Sequence, residues 1–235
     1  MHKIFIDPGH GGRDPGAVGN GMREADIALE VSKTLRDILK GAGLDVMLSR
    51  EEDESVGINE RWQAANRWRA SYFISIHVNA GRGTGAETLY AHSNALPLAR
   101  ALQDGYSKQM GLANRRVWHR GDVGVLNHSA CPSILIELAF IDSPLHNPDV
   151  GILRNKRGEM AQAIAKALFA HLNITIAAPL KEEVRFETLE EVPFWGRVTI
   201  EKMLEQSILK GDGGGLDLSM DMVRTFVILN RAGIL

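Results

Sequence analysis

Short apolar runs alternate with helical patterns over about the first 175 residues of this 235-residue chain, and that alternation most constrains its fold. Runs rich in Ile, Phe, Val and Leu predict strands over 3–7, 44–48, 72–77, 86–91 and 133–138. Between them, Ile27, Leu29, Val31, Leu35, Ile38 and Leu39 make one apolar face of a helix over 24–40. Trp62, Ala65 and Trp68 mark a helix over 57–70, and Leu98, Ala101, Leu102 and Tyr106 another over 95–110. A last helix, 153–172, carries Met160, Ile164, Ala167 and Leu168 on one side. This order predicts an α/β fold: an open, mostly parallel twisted sheet with helices on both faces. Ligands of such sheets gather beyond the carboxyl ends of the strands.

Four polar side chains stand out against that frame. His10 follows Lys3-Ile4-Phe5-Ile6-Asp7 within Pro8-Gly9-His10-Gly11-Gly12, and His77 closes Tyr72-Phe73-Ile74-Ser75-Ile76, so both fall at carboxyl ends of strands. Glu24 opens the first helix, where the macrodipole favours a carboxylate whether or not it binds anything. Glu137 is the one charge in Ser133-Ile134-Leu135-Ile136-Glu137-Leu138-Ala139-Phe140, and an ionised carboxylate there must be paired, metal-bound or neutralised. Two neutral imidazoles and a carboxylate form the ligand set of a hydrolytic zinc ion, and a further carboxylate nearby serves as base. The expectation is a zinc hydrolase. His92, His119, His128, His146 and His171 read as solvated, with His119 and His128 flanking a loop that can border a substrate groove. Glu87 reads as an edge-strand surface acid, with a rival base or a partner of the site as the alternative.

Several classes are excluded. A formal net charge of −2 offers no basic surface to a phosphate backbone, so no nucleic acid partner is expected. A single cysteine, Cys131, allows no internal disulfide. Met1-His2-Lys3 runs directly into a strand, and no segment approaches the run of about 18 apolar residues that a membrane span needs. The expected product is soluble, cytoplasmic and without a membrane span. Gly81-Arg82-Gly83-Thr84-Gly85-Ala86 has dinucleotide spacing, but Glu87-Thr88-Leu89-Tyr90 is strand-like and offers no helix N-terminus to a pyrophosphate.

Composition changes around 174–190, where Ala177-Ala178-Pro179 precedes Lys181-Glu182-Glu183 and the acidic stretch Glu187 to Glu191. The organisation read from this is a catalytic domain over 1–175, a linker over 176–190 and a helical module over 191–235. Two helical patterns, 195–208 and 219–232, are joined by Lys210-Gly211-Asp212-Gly213-Gly214-Gly215. So small a hairpin, roughly 45 residues, buries little surface alone and is expected to dock on the main domain, a second copy or a target.

Asp7-Pro8-Gly9-His10-Gly11-Gly12 with Asp14 and Gly16-Ala17, then Glu24, Ser75-Ile76-His77-Val78-Asn79-Ala80, and Glu137 before Phe140 resembles the zinc-dependent N-acetylmuramoyl-L-alanine amidases of the amidase-3 type. Ser49-Arg50 with Asp53, Arg61 with Ala65-Asn66, and Gly85-Ala86-Glu87 extend the match over about residues 3–173. The resemblance implies Zn2+ on His10, Glu24 and His77, with Glu137 as catalytic acid/base. It also implies hydrolysis of the peptidoglycan amide between the lactyl group of muramic acid and L-alanine. The chain departs from the family at Ser49, where Thr is common, and over 111–130, which fits the usual Arg-Gly pattern loosely. Trp195, Ile200, Leu204, the turn at Gly211 and Arg224 resemble one repeat of cell-surface-anchoring modules, and similar tails occur on bacteriophage lysis enzymes. A phage endolysin is therefore expected, made in the host cytoplasm and acting at the wall after release, its tail binding a wall ligand or self-associating. The alternatives are a host autolysin and a cysteine-dependent wall amidase using Cys131 with His119 or His128.

Overall fold

The structure, a computed structural model, describes residues 2–175, 185–209, 215–216 and 218–231. The chain divides into two compact units, Met1–Thr175 and Ile176–Leu235. In the first, β1 (Lys3–Pro8) leads through a short hairpin, β2 (Val18–Gly19) and β3 (Met22–Arg23), into α1 (Glu24–Gly41). Next come β4 (Asp45–Leu48), α2 (Ile58–Trp68), β5 (Tyr72–Asn79), β6 (Ala86–Tyr90), α3 (Leu96–Met110), β7 (Asn114–His119) and α4 (Gly124–Asn127). β8 (Ser133–Phe140), α5 (Pro148–Asn155) and α6 (Arg157–His171) complete the unit. Six strands form one sheet in the order β4-β1-β5-β8-β6-β7. Its pairs are parallel except β6 with β8, so the sheet is mostly parallel as expected.

The apolar runs are continuous because both faces are covered. Ile4, Ile6, Ile74, Ile76, Ile134 and Ile136 pack in one cluster with Val31 and Leu35 of α1, Leu102 of α3 and Ile164 of α6. The alternate residues Phe5, Phe73, Leu135 and Leu89 pack in a smaller cluster with Ala65 of α2 and Val125 and Leu126 of α4. Side chains two positions along from these point to the same face, which is where Asp7, Ser75, His77, Glu137 and Glu87 lie.

Two expectations are corrected. The stretch 111–130 contains β7 and α4, absent from the sequence reading. β7 is the open edge strand, five of its six residues are exposed, and it therefore carries no apolar run to detect. The helix expected over 153–172 is two helices, α5 and α6, broken at Lys156 (φ −126°, ψ 32°). Buried Ile152, Leu153 and Met160 continue the apolar pattern through the break and hide it.

In the second unit β9 (Arg185–Phe186) pairs antiparallel with β10 (Leu218–Ser219), and α7 (Phe194–Glu205) and α8 (Met220–Arg231) supply the helices. Phe186, Val192, Ile200, Met203, Leu218 and Val223 form its core. β9 lies within the stretch expected as linker; the rest of that stretch up to 184, and the turn residues 210–214, lie outside the described residues. Among the described residues, no helix is long and apolar enough to cross a membrane.

Candidate metal centre

The loop after β1 is held by two buried arginines. Arg50 Nε donates to Pro8 O (3.1 Å), and its Nη2 donates to Gly9 O (2.8 Å) and Ala25 O (2.9 Å). Arg61 donates to Pro8 O (2.6 Å), to His10 O (2.7 Å) and to Asp7 Oδ1 (2.8 Å). Asp7 in turn accepts from Ser49 Oγ (2.6 Å) and Ser75 Oγ (2.7 Å). These bonds satisfy carbonyls that a tight turn leaves without sheet partners. They also hold His10 at φ 58°, a left-handed conformation costing a non-glycine residue about 1–3 kcal/mol. Ser49, Arg50 and Arg61 stand in the sequence only as parts of a pattern; in the fold they fix the loop that carries His10.

Two glycines leave the room that the His10, Glu24 and His77 side chains use. A Cβ on Gly9 would stand 2.4 Å from His77 Cε1. A Cβ on Gly16, at φ +64°, would stand 2.6 Å from Glu24 Oε2 and 2.7 Å from His10 Cδ2.

Three of the four predicted residues converge. Glu24 Oε1 lies 2.8 Å from His77 Nδ1 and 3.2 Å from His10 Nε2. One ligand atom from each residue lies within 4.8 Å of the others. Backbone N–H groups fix the carboxylate: Val78 N donates to Oε1 (2.9 Å) and Ala17 N to Oε2 (2.8 Å). The outer nitrogen of His10, Nδ1, lies 2.8 Å from Asp14 Oδ2, the carboxylate–imidazole arrangement that orients metal ligands. Ligands bonded tetrahedrally at zinc distances stand roughly 3.3–3.6 Å apart, so this N, N, O donor set fits a zinc ion.

The charges are arranged to match. Burial alone pushes the Glu24 carboxyl up, but hydrogen bonds from His10, His77 and Val78 N–H hold it well below the usual carboxylate range. The bond to Glu24 raises His10 to about 9, against the opposing effect of burial. Glu137 goes the other way. Burial, with Glu24 and Glu87 adding to it, lifts its carboxyl to about 7 although His77 opposes the rise. Its Oε2 is buried and has no hydrogen-bond partner among the described residues.

Glu137 stands in register with His77 on the neighbouring strand, and Glu87 stands in register with Glu137 on the other side. Glu87 is thus no edge-strand acid: β7 covers its strand, its side chain is 17% exposed, and it accepts from Asn79 Nδ2 (2.8 Å) and Arg115 Nε (2.9 Å). A cleft beside the imidazoles is walled by Arg61, Val56, Ile58, Val123, Val125 and Leu135. His119 Nε2 lies 2.8 Å from Ala91 O and His128 packs on Trp62; neither is among the three clustered ligand residues. Cys131 is buried and burial pushes its thiol up to about 11, which suits an inert side chain rather than a nucleophile.

The Amidase_3 family, described as N-acetylmuramoyl-L-alanine amidase, matches residues 4–170, and the chain belongs to that family. It is 42% identical over 147 residues to the sporulation-specific N-acetylmuramoyl-L-alanine amidase of Bacillus subtilis, covering 61% of this chain and 58% of that protein. The chain thus spans less than two thirds of that relative's length. It is 32% identical over 197 residues to the endolysin of Bacillus phage SPP1, covering 77% of this chain and 71% of the endolysin. Among solved structures, the N-acetylmuramoyl-L-alanine amidase from Clostridium difficile superposes with a TM-score of 0.69 at 28% identity, over 73% of this chain and 97% of that one.

Proposed function

We propose that this chain is a zinc-dependent N-acetylmuramoyl-L-alanine amidase, hydrolysing the amide between N-acetylmuramic acid and L-alanine in peptidoglycan. The observation that carries the reading is the buried, unpartnered Oε2 of Glu137 on the strand beside His77 of a His/Glu/His donor set. His10, Glu24 and His77 would hold the metal. Bound there, zinc supplies Lewis acidity, making water a nucleophile near neutral pH and polarising a carbonyl oxygen. Glu137 takes the proton of the attacking water on its free oxygen and delivers it to the departing alanine nitrogen. A carboxyl near neutrality can serve in both directions, and burial supplies that value. Asp14 fixes the His10 ring, and the apolar wall of the cleft limits competing water.

The test is the zinc-loaded full chain acting on purified walls. New N-terminal alanine should appear, and Glu137→Gln should lower its rate by about 10²–10⁴-fold. Release of new reducing sugar ends or of internal peptide amines instead would sink the reading.

The setting is read as phage-driven lysis of the host. The likeness to the SPP1 endolysin, 32% identical over 197 residues and covering 71% of that protein, supports this. Residues 1–175 are read as the catalytic domain and 191–235 as a wall-targeting module, with 176–190 between them. Exposed Phe194 (82%) and Val198 (73%) on α7 support a binding face on that module. Deleting 176–235 should abolish retention on whole walls while leaving cleavage of a soluble muropeptide intact. An unchanged retention with a changed sedimentation mass would assign the module to self-association instead.

A further inference from the structure

The row of polar side chains across the sheet does not stop at Glu87. His77, Glu137, Glu87 and Arg115 stand on β5, β8, β6 and β7, four strands that are consecutive in the sheet. Asn114 pairs with Ala86 and Val117 with Thr88, so Arg115 falls at the register shift beside Glu87, a bulge that re-aims its side chain. Its guanidinium is fixed on two sides. Nε donates to Glu87 Oε2 at 2.9 Å, and the Phe140 ring lies 4.9 Å from its central carbon. Phe140 is itself buried, with Gly83 so close that a Cβ there would stand 2.5 Å from the ring. Glu87 is steadied on its far side by Asn79. The two terminal nitrogens have no partner among the described residues, and the side chain is 41% exposed. This is a preorganised cation with its forked end open, the arrangement that receives a carboxylate with two parallel hydrogen bonds.

Distance selects which carboxylate. Neighbouring strands lie about 4.8 Å apart, so two spacings put Arg115 roughly 10 Å from Glu137. An extended peptide advances about 3.4 Å per residue, and the bond to Glu87 draws the guanidinium toward the strand beside Glu137, so the group reaching Arg115 lies within about two to three residues of the bond cut at Glu137. On a peptidoglycan substrate the anionic groups near that distance are carboxylates of the stem peptide. The second stem residue is joined through its side chain and keeps an α-carboxyl that is free in some walls and amidated in others. We infer that Arg115 binds a free carboxylate of the stem peptide and makes this site discriminate against the amidated form. The inference rests on the amidase reading above for the position of the scissile bond.

Two muropeptides differing only in whether the second residue carries a carboxylate or a carboxamide separate the possibilities. The zinc-loaded full chain should show a KM at least about tenfold lower for the carboxylate, as a charge-assisted bond predicts. Arg115→Gln should bring the two substrates to within about twofold of each other, and Arg115→Lys should retain part of the preference. If Arg115 acted only by neutralising Glu87, its replacement would change kcat on both substrates alike and leave their ratio intact; that result overturns the inference, as does a wild type indifferent to the carboxylate. Calorimetric titration with the free peptides, each beginning with alanine, reads the same preference without turnover. Carboxylate-selective binding that depends on Arg115, in a protein that cleaves neither muropeptide, would remove the amidase reading and leave the subsite standing.

Discussion

Glu137 and His77 face each other across adjacent parallel strands, in register and on the same face of the sheet, the carboxyl without a hydrogen-bond partner for Oε2 among the described residues. An acid whose folded pKa is raised, here from 4.5 to about 7, lowers stability as pH rises through that interval. Glu137→Gln should therefore stabilise the metal-free protein more at pH 8 than at pH 4, while metal content after reloading stays at the wild-type level. Melting curves at the two pH values check this. A variant less stable than wild type at pH 8 would show that the carboxylate has a partner in solution.

Asp14 is exposed and touches the His10 ring from outside, with the two atoms 2.8 Å apart. Asp14→Ala should weaken zinc affinity by about 10–100-fold without changing the stoichiometry at saturation. His77→Ala, which removes a ligand, should lose the metal on dialysis. Competition with a chromophoric chelator distinguishes the two, and equal affinities for Asp14→Ala and wild type would remove Asp14 from the centre.

In the metal-free protein His10 and Glu24 form a charged pair. The His10 contribution, from a pKa raised from 6.5 to about 9, is complete below pH 6.5 and is lost as pH rises through about 9. Glu24 is depressed from 4.5, so its contribution is present above that value and is lost in acid. The difference in Tm between chelated wild type and chelated His10→Ala should be greatest near pH 4.5–6.5 and shrink toward pH 9.5. A difference that grows above pH 9 would contradict the pairing.

Arg61 and Asp7 are both buried, 2.8 Å apart, with side chains 6% and 1% exposed. Arg61→Ala strands the Asp7 charge, releases the His10 carbonyl and leaves Pro8 O only its bond from Arg50, so a loss of about 3–5 kcal/mol is expected in denaturant titration. Metal affinity should fall with it, since His10 sits on the freed loop. A loss under 1 kcal/mol would mean that the loop holds its shape unaided.

What the sequence disclosed follows from where each signal resides. Strands buried on both faces print apolar runs, so β1, β5 and β8 and the imidazoles that follow β1 and close the apolar run of β5 are legible, and Glu137 is conspicuous as a lone charge in such a run. β7 faces solvent and prints nothing, so Arg115 and the true surroundings of Glu87 were invisible. Arg50 and Arg61 bind the carbonyls of Pro8, Gly9, His10 and Ala25, from 25 to 53 residues away in sequence, contacts that no local pattern encodes. Asp14 was a motif letter until the fold brought it against His10 Nδ1.

On the proposed reading, His10, Glu24 and His77 together grip one zinc ion. X-ray absorption at the zinc edge, on the reloaded full chain, reads the ligands directly. Two imidazole nitrogens and a carboxylate oxygen, with no sulfur, at one zinc per chain are predicted. A sulfur scatterer, a single imidazole or the absence of stoichiometric zinc would contradict the account.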